Sequence, residues 1–149
     1  MALTMADKPT NSRSSEPWPA KIRDEFEREA KHPNGCVGHK LISETDKVRV
    51  WRICLRPGER IGFHRHVLDY FWSAVTSGRG RQHFNDGETR EYTYSAGETR
   101  HEAYGLGEYK VHDLENIGDT DLLFVTVEFL DSANKPLAVP QSVRTPKVA

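Results

Sequence analysis

The chain has 149 residues, a formal net charge of −1 and 36% hydrophobic residues, which suits one domain built round a single core. The near-neutral balance excludes the electrostatic footprint of a nucleic-acid or anionic-membrane partner, and no apolar run approaches the ~20 residues that span a bilayer. The two cysteines, Cys36 and Cys54, form no CxxC pair and read as reduced thiols.

"MALTMADKPTNSRSSEP" has no apolar leader region or cleavage site, so a cytoplasmic protein is expected. Residues 1–17, rich in Ser, Thr, Pro and Asn, predict a mobile tail. Over Pro17 to Lys31, Trp18, Ile22 and Phe26 recur every four residues among charges, which predicts one helix with a narrow apolar stripe. The break "HPNG" ends it, so residues 18–35 form a helix and linker. From residue 36 to 131 the pattern changes to eight or nine short β runs, among them "KVRVWRICL", "DYFWSAVT" and "DLLFVTVEFL". Asp86-Gly87 marks a two-residue type I′ hairpin turn. Closely spaced strands with Gly-rich turns predict an all-β sandwich or barrel. The last segment, 132–149, carries three prolines and is expected to lie along the surface or a partner.

The chemistry concentrates in "RPGERIGFHRHVLDYFWSAVTSGRG". His64 and His66 are separated by one residue, so on a strand they share a face and can turn two imidazole nitrogens to one ion. Gly58 stands six residues before His64, and Gly78 follows in a turn. These residues resemble the first motif of the cupin superfamily: glycine, five residues, HxH, three or four residues, glutamate, six residues, glycine. The glutamate position holds Tyr70 or Phe71, with Asp69 just before. Gly97, His112 and Asn116 resemble the second motif, with "YGLGEY" in place of its PxG turn and four extra residues before the histidine. The resemblance covers roughly residues 40–130. "HRHxxDY" is similar to a small-cupin group associated with β-alanine degradation.

The resemblance implies a double-stranded β-helix, or jelly-roll barrel, with a short N-terminal helix. It also implies a divalent metal held by His64, His66 and His112, iron(II) foremost, with Mn, Ni, Zn or Cu as alternatives. The implied activity is that of a metal-dependent enzyme on a small oxygenated or carboxylate substrate, a non-haem iron dioxygenase before a lyase or isomerase. A non-catalytic ligand-binding barrel is the rival.

His101 competes with His112 for third ligand, or would be a fourth ligand or general base; a half-exposed strand histidine is the plain alternative. Tyr70 shares the parity of the histidines and would offer its hydroxyl to a bound ligand, or fill the core. Phe71 and Trp72 are expected to pack the barrel, and His83 to face away from the cavity. Asp69 either orients a histidine or makes a turn. Arg52 and Arg100 either point outward or reach a substrate carboxylate. Glu128, inside an apolar run, is expected against an arginine or at a subunit interface. The helix stripe needs a surface to bury against, which points to a homodimer.

Overall fold

In this computed structural model residues 8–144 are described; the first seven residues of the expected tail and the last five of the extension lie outside them. Ten strands form two antiparallel five-stranded sheets that face each other as a barrel. The first sheet holds β1 (Ser12–Ser14), β7 (Thr89–Tyr94), β6 (Gly78–His83), β9 (Lys110–Asn116) and β4 (Arg60–His66), in that order. The second holds β2 (Lys40–Glu44), β3 (Val48–Leu55), β10 (Leu122–Phe129), β5 (Tyr70–Ala74) and β8 (Thr99–Glu102). Alternation decides what lies inside. Along β10, Leu122, Phe124, Thr126 and Glu128 are buried while the residues between them are half-exposed. Leu55, Ala74, Leu114, Leu122 and Phe124 fill one end of the barrel, and Val37, Leu41 and Trp51 form a second cluster. Val139 and Val143 of the C-terminal segment close that cluster on the chain itself.

The one α-helix among the described residues, α1 (Ala20–Lys31), begins after Pro19, so Trp18 precedes it. Trp18 and Phe26 both lie on Phe63 of β4, with ring centroids 5.6 and 5.3 Å away. The apolar stripe is therefore half-buried, with Trp18 and Phe26 set against its own barrel. Glu25 of α1 accepts two bonds from Arg60 (3.0 and 2.8 Å) and one from Phe63 N–H (2.9 Å). Gly62 makes this approach possible: a Cβ there would stand 3.0 Å from Glu25 Oε2. Strand β4 is an edge, and its open side is covered. Arg65 N–H donates to Asn34 O (2.7 Å), and Asn34 Nδ2 donates to Phe63 O (3.0 Å).

Two local expectations are corrected. Part of the expected tail is a strand, since Ser12–Ser14 pairs with Thr89, Arg90 and Glu91 of β7. Backbone pairing satisfies this polar segment without any apolar burial. The hairpin between β6 and β7 uses a three-residue loop, not the type I′ turn. Gly87 N–H bonds to Phe84 O and Phe84 N–H to Glu88 O, and Gly87 alone in the loop has positive φ (89°). That is the geometry of a turn completed by a glycine bulge.

Candidate metal centre

A bulge builds the site. Between Ile61 and His64 of β4 the register against β9 slips by one residue, from Ile61↔Leu114 to His64↔His112. The extra residue resets the alternation, so Ile61 and His64 both face inward while Phe63 turns out beneath α1. His64 and His66 then share the interior with His112 directly across on β9. Their ring centroids are 4.7 to 5.2 Å apart, and one nitrogen from each falls within 4.8 Å of the others.

The outer ring nitrogens fix the tautomers. His64 Nδ1 meets Gly62 O at 2.9 Å, and His112 Nδ1 meets Gln82 Oε1 at 2.6 Å. Gln82 is oriented by its own Nε2, which donates to the Tyr94 hydroxyl (2.7 Å). Both acceptors are carbonyl oxygens, so both Nδ1 atoms carry the proton and both Nε2 atoms present lone pairs inward. Burial pushes His64 down to about 4 and holds His66 and His112 well below the ordinary histidine value, with Lys110 adding to the effect on all three. All three rings are neutral at pH 7, as metal ligation requires.

The donor set fits a divalent ion. His66 Nε2 and His112 Nε2 face each other at 3.1 Å. Two nitrogens bound at ~2.1 Å and at right angles would stand ~3 Å apart. His66 Nδ1, by contrast, is buried with no hydrogen-bond partner. Its ring is held instead by Tyr70, stacked on it at 4.0 Å and 15°.

Tyr70 thus faces inward, reaching across from the second sheet. Its hydroxyl donates to Glu102 Oε2 and accepts from Lys110 Nζ (2.6 Å). Lys110 also donates to Glu102, and the Tyr104 hydroxyl reaches the same oxygen at 3.3 Å. Burial, and then Glu102, raise Tyr70 well above the ordinary phenol value. Burial would raise Glu102 too, but Lys110 and the Tyr70 and Tyr104 hydroxyls together outweigh it and the carboxyl sits below its ordinary value. The carboxylate at this level of the barrel is therefore turned to Tyr70, Lys110 and Tyr104.

The structure does not bring His101 to the other histidines. Glu102 is opposite Tyr70 and His101 opposite Phe71, so His101 and Phe71 share the outer face. Although it borders the rim of the cavity, the exposed His101 ring lies against Phe71 (5.2 Å). Phe71 packs on Phe129 outside the barrel, whereas Trp72 packs inside on Tyr94 and Phe124. His83 faces α1, its Nδ1 on the fully buried Asp113 (2.8 Å) and its ring on Trp18. Asp69 makes a loop contact, accepting Tyr104 N–H (2.9 Å). Arg52 is exposed, but Arg100 lines the cavity. Glu128 accepts Trp51 Nε1 (2.7 Å) within its own chain. Asn116 ties the turn after β9 to β3 by donating to Leu55 O and Thr120 O. Above the histidines lies an open cavity of about 360 Å³. It meets the inner histidine chamber at Trp72, Gln82, Tyr94 and His112.

A cupin domain from Bordetella pertussis Tohama I is similar over 58% of this chain and 85% of its own, at 25% identity and a TM-score of 0.51. Two facing antiparallel sheets are the fold that this likeness bears on. The chain has the cupin fold. A double-stranded β-helix protein from Klebsiella pneumoniae is similar at 25% identity, over 62% of this chain and 75% of that chain, with a TM-score of 0.48. Oxalate decarboxylase from Bacillus subtilis matches at 24% identity and a TM-score of 0.43, over 55% of this chain and 21% of that one. No protein-family model and no curated protein matches the sequence.

Proposed function

We propose that this cupin is a metal-dependent enzyme for a small oxygenated or carboxylate substrate, with a non-haem iron dioxygenase as the leading assignment. The observation that carries it is the convergence of one ring nitrogen from each of His64, His66 and His112 in an inner chamber that meets an open cavity. A divalent ion bound there would supply Lewis acidity and, as iron(II), redox chemistry with dioxygen. With three neutral ligands the ion keeps its full charge and open positions, which favour an anionic substrate. Gln82 and the Gly62 carbonyl hold two of the ligands in their binding tautomer. Trp72, Tyr94 and Phe124 give the inner chamber an apolar part of its wall.

A lyase or isomerase is the second reading, favoured by the Tyr70–Glu102–Lys110 cluster, which gathers proton donors and an acceptor beside His66. Elemental analysis of untagged protein, followed by oxygen uptake with diketones, thiols and phenols, separates the two. The expected result is stoichiometric metal in wild type, none in a folded His64→Ala variant, and substrate-dependent oxygen consumption. Full occupancy in His64→Ala removes this histidine from the site. Metal without oxygen consumption leaves the Lewis-acid reading.

A further inference from the structure

We propose that the open cavity is a site for a small aromatic carboxylate, held at its rim by Lys8 of the N-terminal segment and Arg100 of β8. This names the substrate class of the chamber described above and rests on that reading of the cavity, though not on the ion. At about 360 Å³ the cavity is of small-molecule size. Trp72, Tyr92 and Tyr94 line it, offering faces and edges to a planar ring.

The rim carries the charge. Residues 11–16 are exposed and pair with the edge of β7 and with Glu88 just before it, yet the segment delivers one ammonium into the cavity. Lys8 is 14% exposed at its side chain, and its Nζ lies 5.1 Å from the Tyr94 ring centroid and 5.9 Å from that of Tyr92. Glu98 shows what this pair of cations is shaped to take. Its Oε2 accepts from Lys8 Nζ (2.5 Å) and from Arg100 Nε (3.1 Å). One carboxylate against two cations leaves a unit of positive charge at the rim, beside aromatic faces that displace its water. Deeper in, Lys110 is matched by Glu102. A ligand carboxylate is therefore favoured at the rim, and the rest of the molecule extends toward His112, which borders the same cavity.

Calorimetric titration of the full chain with benzoate tests this, on metal-loaded and metal-stripped protein in parallel. Benzoate is expected to bind both forms, and benzamide, which has the ring without the charge, to bind about tenfold more weakly or worse. Lys8→Met should weaken benzoate by about tenfold at an unchanged melting temperature, and Glu98→Gln, which removes the competing carboxylate, should tighten it several-fold. Equal affinity for benzoate and benzamide, indifference to Lys8→Met, or weaker binding in Glu98→Gln would each overturn the proposal. Binding confined to the metal-loaded form and indifferent to Lys8 also overturns it, while leaving the metal enzyme intact. Lys8-dependent binding by a protein that takes up no metal supports it and removes the metal reading instead.

Discussion

Glu128 is only 3% exposed, and its carboxyl accepts a single indole N–H. Burial lifts it to about 7, although the Trp51 bond and Arg49 pull the other way. An unfolded chain releases that proton near 4.5. Between 4.5 and 7 the unfolded state therefore binds fewer protons than the folded one, and stability falls as pH rises. The loss should reach on the order of 3 kcal/mol and level off above pH 7. Glu128→Gln keeps an acceptor for Trp51 and has no such titration. The difference between the two urea-unfolding curves should open across that window, and parallel curves would show an ordinary carboxyl. Tyr70→Phe is the companion test beside the histidines. It leaves the ring on His66 but removes the partner shared by Glu102 and Lys110, so ligand affinity or turnover should drop by about 1–3 kcal/mol with metal content unchanged. No change in either would confine Tyr70 to packing. His64 and His66 were readable because HxH spacing needs no knowledge of neighbours, and His112 through its motif resemblance. Tyr70 was expected inward from parity with the histidines, but it faces inward from β5 of the other sheet, so parity along β4 is not the reason. Gln82 and Glu102 were missed one position from residues that were weighed, His83 and His101. Parity within a strand says which residues share a face, but not which face is inside.

At the scale of elements, the bulge in β4 and the docking of α1 are one construction. Phe63 lies outward only because of the bulge, and there it receives Trp18, Phe26 and the Glu25 carboxylate. Glu25→Ala leaves Phe63 N–H without its acceptor and Arg60 with Asp113 alone. A loss of about 1–3 kcal/mol is expected by urea unfolding, with the slope unchanged because the barrel still unfolds as a unit. An unaltered midpoint would make the contact incidental. Alternating burial made the strands legible, and the four-residue period made α1 legible. The bulge was not legible, since it is set by pairing with β9, 46 residues away from His66 at His112. Nor was β1: its polar residues carry no pattern, and it exists through backbone bonds to an edge.

For the whole molecule, the homodimer expected from the sequence has a second candidate surface besides the half-buried stripe of α1. Val50, Val127 and Phe71 stand side by side on the outward face of the second sheet, with Phe129 beside Phe71 at 6.0 Å. A second copy on this face would give light-scattering masses near twice 17.0 kDa, returned to the single-chain value by Val127→Glu. A concentration-independent single-chain mass for wild type rejects the dimer. The edge position of β4 carries a different consequence. Two of the three ligands lie on a strand with a β neighbour on one side only, and edge strands open at lower free energy than central ones. A bound ion then has a second way out besides the mouth, through fraying of β4, and the brace of Asn34, Glu25 and Glu29 sets how often that happens. Glu29 holds both Arg65 (2.9 Å) and Asn34 N–H (2.8 Å). Glu29→Ala should therefore speed amide hydrogen exchange along β4 and metal loss to a chelator in the same proportion, while the affinity contacts of the three histidines stay as they were. The lifetime of the holo-protein would be governed from outside the barrel, by two carboxylates that never touch the ion.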